Sequence, residues 1–323
     1  RLREVYEICQ SFLGIDPTKD WIPVRPAQHY SMGGIRTDPS GQSTHLQGLF
    51  ACGEAACWDL HGFNRLGGNS VAETVVAGMI VGESIADWCE GPGADGSVPM
   101  GLVREHWDRV EGELDGILGR SSGESATQLM EQMQRIMADH VCVFRSGPVL
   151  QQALDELQGL LQRSDHLAVR SRVRGVNPEL VDAYRVRRML RLALCVVAGA
   201  LARTESRGAH FREDFPRRDD GTWLKRTLAF WRSPGDTLPT LDYEALDVAR
   251  MELPPGWRGY GNRDQVEHPD TARRAAEVAS IREAHPAADR HEIQERLMPF
   301  RHLLPPRLRG RNERLDEPFG VPS

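Results

Sequence analysis

Ten residues at positions 61–70, HGFNRLGGNS, bring together an imidazole, a guanidinium, paired glycines and two asparagines. Arg65 offers a rigid fork of donors that matches a carboxylate at two points. Gly67 and Gly68 carry no Cβ and let the main chain come close to a flat ligand. Ser70, with Glu73 three residues on, has the spacing of a capping box and reads as a helix start. A helix N-terminus there, with Val71 in its first turn, would present N–H groups and partial positive charge to a ligand that gains negative charge on reduction. Two further residues extend the pattern. His29, just ahead of Met32-Gly33-Gly34, is a donor whose charge can change near neutral pH. Glu54 ends the apolar stretch LQGLFACGE, and a carboxylate at a strand's end can face a ligand at the edge of an open α/β sheet. Each has a plainer role when taken singly: His29 as a hairpin histidine, Arg65 in an ion pair with Asp59, Glu54 as a solvated strand end. The order of these parts along the chain shifts the balance towards a binding site but names no ligand, and the plainer roles of His29 and Arg65 stay open on the residues alone.

The elements that must position these groups follow from periodicity and turn chemistry. Residues 1–20 read as a helix stopped at GIDPTKD. Residues 21–38 read as extended segments with a tight turn. Residues 46–54 read as a strand, and 70–89 as the clearest helix. In that helix Val71, Val75, Met79, Ile80 and Ile85 supply bulk, and Ala72, Ala77, Gly78 and Gly82 a thin face. Residues 89–99 form a linker. Gly91, Gly93 and Gly96 match G-x-G-x-x-G there, but they follow a helix and open none, so they are no dinucleotide fingerprint. Helices over 102–118, 124–140, 147–163 and 178–203 form an antiparallel bundle. Residues 205–220 are charged and turn-rich. A charged helix lies near 270–298, ahead of a Pro/Arg-rich tail from 304.

The totals set bounds. The 323 residues suffice for two or three domains. Forty basic against 46 acidic residues leave a net charge of −6, which argues against a nucleic-acid partner. Six scattered cysteines form no C-x-x-C pair, so no metal site or disulfide framework is indicated, and reduced thiols are the plain reading. The longest apolar run, 189–202, contains Arg191 and is too short to span a bilayer. The chain opens at Arg1 inside an amphipathic segment, so its start reads as a cut through a longer polypeptide.

RPAQHYSMGGIRTD, GLFACGEAACWDLHGFNRLGGNSVAE and TESRGAHFREDFPRRDD, in that order, resemble the flavoprotein subunit of succinate dehydrogenases and fumarate reductases. The likeness runs through nearly the whole chain. GEAACWDLHGFNRLGGNSVAETVVAGMIVGE and the terminal NERLDEP look most like the menaquinol:fumarate reductase type that works with a dihaem membrane subunit. The resemblance implies that His29 and Arg65 bind the dicarboxylate. It implies that Glu54 hydrogen-bonds FAD, and that the backbone of Ser70 and Val71 meets the isoalloxazine ring. Val71 departs from the family's usual leucine, a mild change where the backbone makes the contact.

The Rossmann glycines, the histidine that carries the covalent flavin bond and the proton-delivering arginine lie upstream in the family. The likeness is therefore to the C-terminal half of such a subunit, and the isolated piece is expected to be inactive. The implied fold is α/β plus α. The end of a capping domain (1–26) and the C-terminal part of a Rossmann-like FAD-binding domain (27–98) precede an antiparallel helical domain (99–214) and a small mixed C-terminal domain (215–323). The implied activity is interconversion of fumarate and succinate by hydride transfer with FAD. Electrons would pass to an iron–sulfur subunit and, through a membrane anchor, to quinone, with the chain peripheral on the cytoplasmic face of the inner membrane. Two alternatives stand beside this reading. One is an L-aspartate oxidase, whose loop reads closer to NRLASNS. The other is a non-catalytic structural half or assembly surface, for which 205–220 could serve as the dock.

Overall fold

The computed structural model describes residues 3–24, 30–91, 99–246, 271–297 and 299. The first helix, α1 (Arg3–Ile8), runs into a π-helical turn (Cys9–Leu13) that closes at Gly14, short of the expected residue 20. Residues 30–68 hold little regular structure. Strand β1 (Ile35–Arg36) pairs in parallel with β2 (Ala56–Cys57).

The strand expected over 46–54 is absent. Gly48 and Gly53 sit at φ of 75° and 63°, which breaks an extended run. What remains is a single bridge from Phe50 to Gln42 and a 3₁₀ turn, Gly53–Ala55. The expected long helix is α2 (Asn69–Glu90). Only the stripe Glu73, Ala77, Val81 is buried, while Val71, Val75, Val76 and Met79 are exposed.

The helical expectations for the middle of the chain match observed elements: α3 (Met100–Gly119), α4 (Ala126–His140), α5 (Gly147–Arg163) and α6 (Pro178–Ala202). Helix α6 packs on the other three, and α4 packs on α5. The reason is local and dense. In α5 Leu150, Ala153, Leu154, Leu157, Leu160 and Leu161 recur at helical spacing and are all buried. They meet Leu129 of α4 and Leu190, Leu194 and Val197 of α6 in one core. Helix α6 starts at Asn177, whose side chain accepts the Leu180 N–H at 3.2 Å and donates to the carbonyls of Ser171 and Val173. Asn177→Ala is expected to lower stability by about 1 kcal/mol, read as a lower urea midpoint with an unchanged m-value. No helix among the described residues is long and apolar enough to cross a membrane. Arg191, inside the apolar run, stacks over Trp231 and donates to the carbonyls of Ser233 and Pro234.

The charged turn after α6 is folded inward. Strand β3 (Phe144–Arg145) pairs in parallel with β4 (Phe211–Arg212). Arg212 donates to the carbonyls of Ala200, Leu201 and Arg203, the groups a helix C-terminus leaves unpaired. The same guanidinium holds Asp214 at two 2.8 Å contacts, and Asp214 accepts the Gly147 N–H at the start of α5. One ion pair thus satisfies two helix ends of opposite polarity. Glu205, with no exposed surface, accepts from Arg203, twice from Arg207, and from the Asp219 N–H. The segment expected as a possible dock is divided: residues 213–217 are exposed, while several of its charged groups turn inward. Arg203, Glu205, Ser206, His210 and Arg212 are buried and paired within the chain.

A short helix, α7 (Asp220–Trp223), leads to an antiparallel hairpin of β5 (Lys225–Phe230) and β6 (Thr240–Ala245). The charged helix expected near 270–298 is two helices, α8 (Thr271–Ala284) and α9 (Arg290–Leu297), with Pro286 between them. The middle of the linker (92–98) and the tail from 304, with NERLDEP, lie outside the described residues.

Three groups make the fold acid-sensitive. Burial, reinforced by Arg145, pushes His210 down to about 4. Hydrogen bonds from Arg212 hold Asp214 at about 2, and those from Arg36 and Arg226 hold Glu244 at about 2. Each folded value lies below the unfolded one, so the unfolded chain binds more protons and stability falls as pH falls. The His210 contribution is lost between about pH 6.5 and 4, and the two carboxylate contributions from about pH 4 towards 2. Urea midpoints are expected to drop from about pH 7 to 5 and further to about pH 3. Midpoints flat across that range contradict the assignment.

Candidate active site

The loop from Trp58 to Gly68 joins β2 to α2 and carries the sharpest chemistry. Arg65 lies half-buried, its Cζ 3.0 Å from the centroid of the Tyr30 ring. Its Nε and Nη1 are buried without a hydrogen-bond partner among the described residues. A guanidinium is costly to leave unpaired, and a carboxylate is the chemistry that would satisfy it. Loss of hydration lowers the Arg65 pKa, an effect that nearby Glu73 partly offsets, and an arginine remains charged through such a shift. Asp59 is not its partner. That carboxylate pairs with Arg226 and, at 3.7 Å, with Arg36.

Glu73 is placed differently from the capping-box expectation. The N-cap of α2 is Gly68, at φ 82°, and no side chain caps it. Ser70 is the second helical residue, neither at nor next to the cap. Glu73 turns inward, where Oε1 accepts the Trp58 Nε1–H at 3.1 Å and Oε2 stands 3.9 Å from His61 Nε2. Trp58 and His61 lie fifteen and twelve residues back along the chain, so the S-x-x-E spacing gave no sign of them. A helix end without a side-chain cap leaves first-turn N–H groups, those of Ser70 and Val71 among them, for solvent or a ligand. The ground in front is open. Val71 is 74% exposed, and a Cβ added at Gly67 or Gly68 would meet nothing within 4 Å.

Glu54 sits in the 3₁₀ turn rather than at a strand end. It is exposed and accepts the Ser31 N–H at 2.6 Å, tying the turn to the residue after Tyr30. His29 lies outside the described residues. Tyr30, the platform under Arg65, was not singled out from sequence; its place immediately after His29 was the available signal. Among the described residues no group of three or more His, Cys, Asp or Glu side chains could hold a metal ion. Arg65, the uncapped start of α2 and the glycine-lined approach fit a ligand that is flat, partly anionic and accompanied by a carboxylate.

Comparisons with known proteins bear on this geometry. Residues 1–71 match the family described as FAD binding domain, and residues 130–260 the family described as Fumarate reductase flavoprotein C-term. The fumarate reductase flavoprotein subunit of Helicobacter pylori is 46% identical over 346 residues, covering 98% of this chain and 48% of that protein. Its counterpart in Escherichia coli K12 is 36% identical, covering 81% of this chain and 42% of that protein. Among solved structures, a quinol-fumarate reductase with menaquinol molecules aligns with a TM-score of 0.69 at 34% identity, over 77% of this chain and 42% of that one. Mycobacterium smegmatis Sdh1 in complex with UQ1 aligns with a TM-score of 0.67 at 32% identity, over 77% and 41%. The chain thus spans about half the length of the curated relatives it matches.

Proposed function

The chain belongs to the succinate dehydrogenase and fumarate reductase flavoprotein family, and from that membership we propose that it is the C-terminal part of a subunit interconverting fumarate and succinate. The single observation that carries the proposal is Arg65. Its guanidinium is stacked on Tyr30, with two buried nitrogens unpaired among the described residues, beside the glycine-led start of a long helix.

FAD is the cofactor, and when bound it supplies hydride acceptance and donation. Ser70 and Val71 would meet it through the N–H groups of the α2 start, whose partial positive charge favours a reduced, anionic ring. Glu54, already accepting from the Ser31 N–H, has a second oxygen for a cofactor hydroxyl or N–H. Arg65 would clamp a carboxylate of the substrate through two parallel hydrogen bonds, and His29 would contact a carboxyl group of the same dicarboxylate. Fixing both carboxylates aligns the central carbons for reaction, which is a proximity effect. Glu73, buried nearby, favours the charged form of the arginine.

Residues 1–26 and 27–98 would complete the capping and FAD-binding domains, with 99–214 the helical domain and 215–323 the C-terminal domain. An iron–sulfur subunit and, through it, a membrane anchor would be the partners, with the chain itself peripheral.

The experiment is an assay of the complete, FAD-loaded polypeptide with a reduced dye as electron donor. Fumarate-dependent oxidation of the dye, with no oxidation of L-aspartate, is the expected result. Oxidation of L-aspartate without fumarate turnover overturns the proposal.

A further inference from the structure

The loop that carries Arg65 is fastened at two points by chain far along the sequence. The first is Asp59, whose φ of 74° is uncommon for a residue with a side chain. Its carboxylate pairs with Arg226 of β5, 167 residues further on, and with Arg36 of β1. Both arginines also hold Glu244, which stands opposite Arg226 in the hairpin register, at 2.6 Å from Arg226 and 3.0 Å from Arg36. The side chains of Arg226 and Arg36 are 9% and 17% exposed, while the carboxylates of Asp59 and Glu244 are 44% and 41% exposed, so the arginines are the shielded halves of these pairs.

The second point is Phe63, two residues before Arg65. Its ring centroid is 6.1 Å from that of His210 and 5.0 Å from the Arg203 guanidinium carbon. A Cβ added at Gly208 would come within 2.6 Å of the Phe63 Cβ, and Gly208 itself lies at φ 58°. His210 is rigid in turn. Arginine can only donate, so Nδ1 accepts from Arg145 at 2.9 Å, which leaves the proton on Nε2, facing the Arg203 carbonyl at 3.3 Å. Beyond Phe63 the loop opens, with Leu66 75% exposed.

We propose that Arg226 and the Gly208–His210 turn are positioning residues for Arg65, fixing residues 59–63 so that the guanidinium stands at a set place for its ligand. The proposal rests on the reading of Arg65 as a carboxylate clamp. A seat built only for stability would not need to grip the loop on both sides of His61 while leaving the stretch after Arg65 open.

The test uses the complete FAD-loaded subunit and malonate, a dicarboxylate that does not react, followed by its perturbation of flavin absorbance. Arg226→Gln and Gly208→Ala are expected to weaken malonate binding by about tenfold to a hundredfold. Flavin content should be unchanged, amide exchange over residues 58–68 faster, and Arg226→Lys should recover part of the loss. Arg174→Gln, which cuts an exposed pair with Glu111 and Asp115, should change none of these. If Gly208→Ala does not fold, Arg226→Gln alone decides. Normal affinity and normal exchange in Arg226→Gln, with Arg65→Gln unable to bind malonate, removes the positioning role and leaves the clamp. Unchanged affinity in Arg65→Gln removes the clamp, and the proposal with it.

Discussion

Arg65→Lys in the complete subunit is expected to lower kcat/KM for fumarate by about a hundredfold or more, with FAD still bound. The reason is geometric. Lysine keeps one positive charge but presents it as a flexible point, whereas the guanidinium is a planar fork already oriented on the Tyr30 ring. An ammonium could bind a carboxylate yet would not fix its plane, and alignment of the central carbons depends on that plane. Steady-state kinetics with fumarate and succinate measure the effect in both directions. A kcat/KM within about threefold of the parent would mean that no transition-state contact was lost, and Arg65 would be a structural residue.

The largest expected stability effect belongs to Glu205→Gln, at about 3–5 kcal/mol. Glu205 has no exposed surface and accepts four hydrogen bonds, two on each oxygen. A glutamine must set its NH₂ against donors at one of those positions, and Arg203, 3% exposed, loses its only ion-pair partner among the described residues. Arg203 keeps the carbonyls of Trp223 and Lys225, so its charge stays buried with hydrogen bonds but without a counter-charge. Urea unfolding followed by circular dichroism gives the number. A loss below about 1 kcal/mol would show that this network tolerates an uncompensated cation.

The parts that were legible in the sequence are those whose signal is local. Helices α3 to α6 carry apolar residues every three or four positions, and Leu150 to Leu161 alone nearly determine α5. The extended region before α2 gave a false strand, because Gly48 and Gly53 stand in the run where only their backbone angles reveal that it is broken. Two-residue strands such as β1 and β2 offer no alternation to read; their pairing depends on partners about twenty residues away. The candidate site divides in the same way. The type of Arg65 and its neighbouring glycines were visible in the sequence. The Tyr30 stack, the inward turn of Glu73 to Trp58 and the seating of Phe63 on the 208–210 turn exist only once distant segments meet. The charged stretch 205–220 is equally compatible with a surface and with an interior on sequence alone, and the structure divides it: Glu205 and Arg212 are buried, residues 213–217 exposed.

The central claim is that Arg65 and the start of α2 together receive a dicarboxylate and a flavin. A crystal structure of the complete subunit with FAD and fumarate tests it most directly. Two Arg65 guanidinium nitrogens are expected at about 2.8–3.0 Å from one fumarate carboxylate. The N–H groups of Ser70 and Val71 are expected against the flavin ring. Fumarate bound elsewhere, with the Arg65 nitrogens still unpaired over Tyr30, would contradict the claim.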